Sequence, residues 1–246
     1  MSLRRNKKNL LSIICVVLNS REAIKKTLLS IGEQDLEDVE VIIIDGGSTD
    51  GTIEEIKKNS KIVDSFVSEL DLGLYDAMNK GIRISKSKYI HFLNSGDVFY
   101  NKHSLEILKT VLNDEVVNLY KFQYLLDEEL KEEKLSYFYL VRRMMNHQSM
   151  VYDSCLFEKH QFDENLTFAS DYKHLLKILP ILNIKYFDFP LIIFDANFSS
   201  KNRKNVSIIW EERAKILFEN KNLNFFYRNL VGLFSYTMAL FRKFIH

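Results

Sequence analysis

Three clusters of polar residues and glycines stand beside apolar, β-rich runs of this chain. They occupy residues 45–52, 68–82 and 94–97, and the runs directly before the first and the last cover residues 39–44 and 88–93. In open α/β sheets, ligands bind in the crevice outside the carboxyl ends of the strands. The sequence therefore predicts an α/β sheet that presents its ligand loops in these three clusters.

Apolar periodicity predicts how strands and helices alternate. Residues 10–18 form a continuous apolar run, which is typical of a strand buried on both faces. Ile24, Leu28 and Ile31 share one face of the helix that follows. Alternation over ~90 residues predicts a mostly parallel sheet with right-handed crossovers. Later predicted elements are strands at 116–126, 184–189 and 191–194 and helices at 171–179, 206–220 and 223–245.

Composition limits the class of protein. A chain of 246 residues, 46% of them hydrophobic, can build one domain with an appendage, and two cysteines are too few for a disulfide framework. The early apolar run leads into a polar turn without a small-residue cleavage site, and no stretch approaches the ~18–20 apolar residues of a membrane span. We predict a basic N-terminal tail over 1–9, an α/β domain over 10–200 and a C-terminal helical appendage over 201–246.

Charge is distributed unevenly, although the formal net charge is only +1. Residues 201–246 contain nine Lys or Arg against three Asp or Glu, and aromatic residues lie among them. This mixture favours a helix lying in a membrane surface, while a core helix or a homodimer interface fits its apolar side equally well. Overall neutrality argues against a nucleic-acid partner. We expect a cytoplasmic protein, with peripheral contact to the inner membrane through this segment.

Two common nucleotide-binding motifs are absent from the sequence. Gly46, Gly47 and Gly51 lack the G-x-G-x-x-G spacing, and no Gly-Lys-Ser/Thr follows them as in a Walker A loop. Asp45 instead follows a predicted strand directly. Its carboxylate can accept the imide N–H of a pyrimidine base, or it can cap the next helix.

Together, the three clusters resemble the nucleotide-sugar half of bacterial family 2 glycosyltransferases of the polysaccharide or colanic-acid type, over roughly residues 10–195. The resemblance implies a GT-A fold, in which helices flank a mostly parallel mixed sheet. It implies a set of residues that bind the nucleotide-sugar. They are Val16, Leu18, Asn19, Asp45, Gly46, Asp71, Gly73, Asp76, Asn79, Lys80, Asn94, Ser95 and His147. Acidic residues before a helix can also simply stabilise its dipole, and His147 can be structural.

Residues 94–97 take the place of the family's Asp-x-Asp metal motif, with Ser95 where the first carboxylate would stand. The resemblance makes Asp97 the sole direct carboxylate ligand of Mn²⁺ or Mg²⁺, ions that prefer carboxylate and water oxygens. The metal would act as a Lewis acid on the departing nucleoside diphosphate. An aspartate in a tight turn is the structural alternative.

Asp171 stands at the predicted start of a helix, where it can cap the helix or act chemically. The family places its catalytic base at this kind of position. An inverting transfer needs a carboxylate that takes the proton of the acceptor hydroxyl. The resemblance therefore implies that Asp171 is the base, with Asp163 and Glu164 as weaker candidates. The family's frequent Gly-Gly-x-Ser loop is not found at residues 195–200.

These observations predict an inverting glycosyltransferase. It would move a sugar from a nucleotide-diphosphate donor, with a UDP-sugar favoured, to a hydroxyl of a glycan or lipid-linked glycan in bacterial surface polysaccharide synthesis. A non-catalytic relative that binds nucleotide-sugar remains an alternative, because of Ser95 and the missing glycine loop. A sugar-1-phosphate nucleotidyltransferase is a weaker alternative, since residues 17–21 do not form a glycine- and basic-rich phosphate loop.

Overall fold

A computed structural model describes residues 9–112, 116–195 and 203–220, together with position 237. The strands are β1 (Leu11–Val17), β2 (Val39–Asp45), β3 (Ser65–Ser68), β4 (Tyr89–Phe92), β5 (Val98–Phe99), β6 (Leu119–Leu126), β7 (Glu129–Lys131), β8 (Met150–Asp153) and β9 (Ile184–Ile193). The α-helices are α1 (Arg21–Gly32), α2 (Thr52–Lys58), α3 (Leu74–Ile84), α4 (Ser104–Val111), α5 (Tyr137–Arg142), α6 (Cys155–Glu158), α7 (Ser170–Ile178) and α8 (Arg203–Glu219). Short 3-10 helices cover His147–Ser149 and Leu179–Ile181.

One mixed sheet organises these elements, in the order β3-β2-β1-β4-β8-β6-β9-β5, with β7 paired to β6. The strands β3, β2, β1 and β4 are mutually parallel, so their carboxyl ends lie at one edge. β8 runs antiparallel to both of its neighbours, and β9 is parallel to β6. The predicted α/β class, with a mostly parallel mixed sheet flanked by helices, is confirmed.

Burial of β1 on both faces explains its uninterrupted apolar sequence. Ile14 and Val16 belong to one core cluster, while Ile13 and Cys15 belong to a second. Helix α3 packs closely over β1 because residue 81 is a glycine: a Cβ there would lie 2.4 Å from Ile14 Cγ2. This close packing fixes the helix whose first turn borders the site described below.

The two predicted strands around Pro190 form one strand, β9. Pro190 pairs with Gln123 where the register between β6 and β9 shifts. Proline donates no backbone hydrogen bond, so strands accommodate it at such irregularities. The predicted helix at 206–220 corresponds to α8. The predicted helix at 223–245 and the tail before residue 9 lie outside the described residues, apart from position 237, which is helical.

Helix α8 is packed into the molecule. Ile216 and Leu217 are buried in the same cluster as Leu140 and Tyr172. No helix within the described residues combines the length and the apolar composition that a bilayer span requires.

Candidate functional site

A cavity of about 390 Å³ opens at the carboxyl ends of β1 and β4, beside the first turns of α3 and α7. It gathers seven of the residues that the sequence singled out. They are Val16, Leu18, Asn94, Ser95, Asp97, His147 and Asp171. The sheet therefore brings together side chains that are up to 155 positions apart in the sequence.

Asp97 lies at the bottom of this cavity, only 2% exposed. Its Oδ1 accepts a hydrogen bond of 2.9 Å from the backbone N–H of Asp195. Burial raises the pKa of Asp97 to about 8, and the negative charge of Asp195 acts in the same direction. A cation beside the two carboxylates would favour their ionised forms.

A metal ion at this place would need ligands beyond the protein. The described residues contain no group of three or more His, Cys, Asp or Glu side chains that could hold a metal ion. Asp97 and Asp195 both line the cavity, and Asn94 Oδ1 and Ser95 Oγ are buried without a hydrogen-bond partner in this part of the chain. The residues fit an ion that completes its coordination with phosphate and water oxygens, as Mg²⁺ commonly does.

Asp195 is a site residue that the sequence interpretation missed. It lies two residues after the end of β9, and Asp45 is the last residue of β2. A carboxylate at the end of an apolar strand was the signal that could have identified it.

Asp45 is fully buried at the end of β2, and its two oxygens have different surroundings. Oδ2 accepts hydrogen bonds from Gly47 N at 3.1 Å, Ser48 N at 3.0 Å and Ser68 Oγ at 2.7 Å. Oδ1 has no partner among the described residues. Asp45 does not cap α2, whose N-cap is Gly51. The loop thus holds the carboxylate by one oxygen and leaves the other unpartnered, although Asp45 is not among the residues that line the cavity.

A neighbouring group of predicted residues lies outside the cavity lining, where the loop after β3 meets the loop after β2. A Cβ on Gly46 would lie 2.5 Å from Asp71 Oδ2, so the contact requires glycine at residue 46. Asp71 Oδ1 accepts from Gly73 N at 3.1 Å, and burial raises the pKa of Asp71. Asn19 Oδ1 accepts from Thr49 N at 2.9 Å and joins the end of β1 to these loops.

Three residues of α3 have partners within the protein. Lys80 Nζ lies 3.1 Å from Asp76 Oδ2 and 3.0 Å from Glu69 Oε1, so its charge is already compensated. Asn79 lies away from the cavity lining. Its amide donates to Phe162 O at 3.0 Å and accepts from Phe162 N at 3.1 Å, which fastens α3 to that loop.

Asp171 is the second residue of α7, and its side chain lines the cavity. Its Oδ1 accepts from the Tyr75 hydroxyl at 2.9 Å and from Tyr172 N at 2.8 Å. These bonds hold the carboxylate through one oxygen. The N-cap position of α7 belongs to Ala169, so Asp171 is not the capping residue that the sequence also allowed.

The weaker candidates for a base are engaged elsewhere. Asp163 Oδ2 pairs with Lys173 Nζ at 2.6 Å, and Glu164 Oε1 accepts from Asn79 Nδ2 at 2.8 Å. Neither lines the cavity. Asp171 is thus the carboxylate of this region that reaches the cavity.

His147 contributes a neutral imidazole to the cavity wall. The residue is 6% exposed, its ring packs on Phe92, and its Nδ1 is buried without a partner in the described parts of the chain. Burial lowers the pKa of His147, although the nearby Asp171 carboxylate acts to raise it. A neutral ring can donate or accept one hydrogen bond to a bound molecule.

Glu133, a residue of the cavity lining, belongs to a buried ion pair. Glu133 Oε2 lies 3.2 Å from Lys121 Nζ and accepts from Asn146 N at 3.0 Å. Glu133 Oε1 accepts from the hydroxyls of Tyr139 at 3.0 Å and Tyr124 at 3.3 Å. Glu133 stands in a charged run over residues 127–134, yet it is only 8% exposed.

Comparison with known proteins places the chain in a family. The model of glycosyl transferase family 2 matches residues 12–166. The chain belongs to glycosyl transferase family 2. An uncharacterized glycosyltransferase of Rickettsia prowazekii is 29% identical over 201 residues, which are 75% of this chain and 63% of that protein. One of Methanocaldococcus jannaschii is 26% identical over 189 residues, 70% of this chain and 65% of that protein. The chain thus spans less than two thirds of either relative.

Solved structures of similar shape confirm the GT-A fold of this family 2 member. Staphylococcus aureus TarS 1-349 superposes with a TM-score of 0.68 at 18% identity, over 94% of this chain and 72% of that chain. The mannosyltransferase PcManGT of Pyrobaculum calidifontis, solved with GDP-Man and Mn²⁺, gives 0.71 at 14% identity, over 96% and 74%. Asp171, Asp195 and α8 lie beyond the residues that the family model matches.

Proposed function

We propose that this family 2 member is an inverting glycosyltransferase. It transfers a sugar from a nucleotide-diphosphate donor, with a UDP-sugar favoured, to a hydroxyl of a glycan or lipid-linked glycan acceptor in bacterial surface polysaccharide synthesis. The observation that carries the proposal is a single cavity that joins the buried carboxylate Asp97 and the partly buried carboxylate Asp195 to the oriented carboxylate Asp171.

Asp171 acts as the general base. As the acceptor oxygen attacks the anomeric carbon, its proton passes to the carboxylate, and the bond from that carbon to the nucleoside diphosphate breaks. The Tyr75 hydroxyl and Tyr172 N hold Oδ1, so Oδ2 is the oxygen that faces the acceptor. Such orientation supports catalysis, because fixed geometry removes an entropic cost from the transition state.

The free Oδ1 of Asp45 accepts the imide N–H of the donor base. This pairing supports a UDP-sugar, and a guanine N–H could take the same place. Both kinds of ligand occur among the similar structures. TarS has been solved with UDP-GlcNAc, and the Pyrobaculum calidifontis enzyme with GDP-Man.

Asp97 and Asp195 would hold Mn²⁺ or Mg²⁺ together with the donor diphosphate. The metal supplies positive charge that stabilises the leaving diphosphate. Ser95 Oγ and Asn94 Oδ1 are both unpartnered in the described structure. The Ser95 hydroxyl can donate to a phosphate or ribose oxygen, and Asn94 Oδ1 can accept from a ribose hydroxyl. A Mycobacterium tuberculosis glucosyl-3-phosphoglycerate synthase of the same fold was solved with UDP and Mn²⁺, which supports this arrangement.

The basic, aromatic segment after residue 220 would place the enzyme peripherally on the cytoplasmic face of the membrane, near a lipid-linked acceptor. A homodimer through its apolar side is the competing use of this segment.

Thermal unfolding with added nucleotides tests the proposal. The purified chain is titrated with UDP, GDP, dTDP and CDP, with and without Mn²⁺, because ligands that bind the native state raise the melting temperature. We expect a rise with UDP that requires Mn²⁺ and disappears in Asp97→Ala. Asp188→Ala, which removes an exposed carboxylate of β9 outside the cavity lining, should keep the rise. No shift with any nucleotide at saturating Mn²⁺ would contradict the proposal.

Binding of nucleotide without turnover would select the alternative function. A metal-dependent shift combined with no release of UDP from UDP-sugars would identify a non-catalytic nucleotide-sugar binder. Donor hydrolysis that depends on Asp171 would exclude that alternative.

A further inference from the structure

The helix that carries Asp171 is capped by a side chain from another helix. Glu212 of α8 accepts three successive backbone N–H groups just before α7. Its Oε1 accepts from Thr167 N at 2.6 Å, and its Oε2 accepts from Phe168 N and Ala169 N, both at 2.9 Å. These N–H groups belong to the N-cap residue Ala169 and the two residues before it. A negative charge beside the first turn of a helix interacts favourably with the helix dipole.

No residue of α7 supplies this cap itself. Its N-cap residue is Ala169, which has no side-chain acceptor. The capped turn borders the cavity, because Phe168 is among the lining residues and Asp171 follows it by three positions. Removing Glu212 would therefore release the turn that sets the direction of the Asp171 carboxylate.

The next residue of α8, Arg213, is hydrogen-bonded to α5. Arg213 is 3% exposed, and its Nη2 donates to Leu140 O at 3.2 Å and to Val141 O at 3.1 Å. Those carbonyls belong to α5, which leads into the cavity-lining residues 144–148. The guanidinium also lies 5.1 Å from the ring centre of Tyr172, next to Asp171.

We infer that α8 is a positioning element of the active site, in which Glu212 sets the place of the Asp171 carboxylate and Arg213 ties that turn to α5. This inference rests on the proposed role of Asp171 as base. Glu212 is not among the residues that line the cavity, so it would act through the turn at 167–169.

A double-mutant cycle separates this role from a general loss of structure. Glu212→Ala and Glu212→Gln are made in the unchanged chain and in Asp171→Asn, and Glu219→Gln removes an exposed carboxylate of the same helix as a control. The readouts are UDP release from UDP-N-acetylglucosamine with Mn²⁺, UDP affinity and melting temperature. GDP-mannose and GDP replace these probes if the titration above selects GDP.

We expect Glu212→Ala to lower turnover about 10- to 100-fold, the range that a misplaced catalytic group produces. Affinity for UDP should stay within about twofold, because the donor loops lie elsewhere, and Glu219→Gln should match the unchanged chain. Glu212→Gln keeps one acceptor oxygen and should lose less. On the Asp171→Asn background, Glu212→Ala should cause no further loss, since the group that it positions is already absent.

The inference alone would be overturned by an unchanged turnover in Glu212→Ala, or by an equal loss on both backgrounds. A parallel fall in UDP affinity would also overturn it, because it would reveal a collapse of the whole site. Full turnover in Asp171→Asn would instead contradict the base itself, and the inference would fall with it.

Discussion

The strand side and the helix side of the site differ in how their carboxylates are satisfied. On the strand side, formed by the ends of β1, β2 and β4, Asp45 Oδ1, Asn94 Oδ1 and Ser95 Oγ have no partner among the described residues. On the helix side, formed by residues 133–149, α7 and α8, both oxygens of Glu133 and both oxygens of Glu212 have partners within the protein. Glu133 accepts from four donors and Glu212 from three.

Burying a polar atom without a partner costs about 1–3 kcal/mol, so native structures contain few such atoms. Such atoms occur on both sides, since His147 Nδ1, the Tyr172 hydroxyl, both ring nitrogens of His174 and Arg213 Nε of the helix side also lack partners among the described residues. On the strand side they include a carboxylate oxygen at a strand end, the place where ligands bind in open α/β sheets. Glu133 and Glu212 of the helix side hold neighbouring protein segments in place instead. At Asp171 both hydrogen bonds from the protein go to Oδ1, and the proposed function assigns the chemistry to Oδ2.

The largest effect on turnover should come from replacing Asp171, the proposed general base on the helix side. Asp171→Asn keeps the size of the side chain but cannot take a proton, so turnover should fall by roughly 10²- to 10⁴-fold. Nucleotide affinity should change little. Asp163→Asn breaks the pair with Lys173 outside the cavity and serves as the control. Steady-state kinetics that show equal losses for both variants would contradict the assignment.

A loss of stability should follow when the buried ion pair between Lys121 and Glu133 on the helix side is broken. Lys121→Met leaves Glu133 buried without its cationic partner, and breaking such a pair costs about 3–5 kcal/mol of unfolding free energy. Urea unfolding measures this cost. Lys134→Met removes a lysine that is 77% exposed and should stay within about 0.5 kcal/mol of the unchanged chain. A neutral Lys121→Met would show that this wall does not depend on the ion pair.

A smaller effect, confined to ligand binding, is expected on the strand side. Asp45→Asn can still accept from Gly47, Ser48 and Ser68 through its amide oxygen, but it presents an NH₂ group where Oδ1 stood. Affinity for UDP should fall about 10- to 100-fold, equivalent to about 1.4–2.8 kcal/mol. Inorganic pyrophosphate, which has no base, should bind as before. Calorimetry that shows equal losses for both ligands would place the base elsewhere.

The smallest effect concerns pH. His174 is 2% exposed and stacks on Phe157 at 4.7 Å, and burial lowers the pKa of His174 to about 3. In the unfolded chain the His174 ring takes up a proton near pH 6.5, whereas in the native state it stays neutral at that pH. Stability from the neutral ring is therefore fully present above pH 6.5 and is lost as pH falls, by at most about 1.4 kcal/mol per pH unit.

Urea unfolding at pH 7 and pH 5 tests this expectation in His174→Phe, whose stability should fall less steeply as the solution is acidified. His103→Gln, which changes a mostly exposed imidazole, should keep the original slope. The same slope in all three proteins would show that His174 is protonated in the native state.

The sequence predicted the strand side more completely than the helix side. Asp45 directly follows an apolar run, and the resemblance to family 2 glycosyltransferases singled out Asp97. The structure has Asp45 as the last residue of β2 and Asp97 in the cavity lining. Val16, Ser95 and Asp171 were also expected at the site, and the structure gathers all three around the cavity.

The helix side depends on contacts between distant parts of the chain, and these leave no local pattern. Glu212 binds backbone groups 43 to 45 positions away, and Lys121 pairs with Glu133, which lies 12 positions later within a charged run. Asn79 carried a nucleotide-binding expectation, but Phe162, 83 positions later, occupies its amide. Asp195 could have been found by the strand-end pattern that identified Asp45.

A crystal structure of the chain with UDP and Mn²⁺ tests the central claim most directly. We predict that the uracil N–H donates to Asp45 Oδ1, that the metal ion contacts Asp97 and the diphosphate, and that Asp171 Oδ2 faces the open end of the cavity. Glu133 and Glu212 should keep all their protein partners. A nucleotide bound away from Asp45, Asn94 and Ser95, with those atoms still unpartnered, would contradict the account.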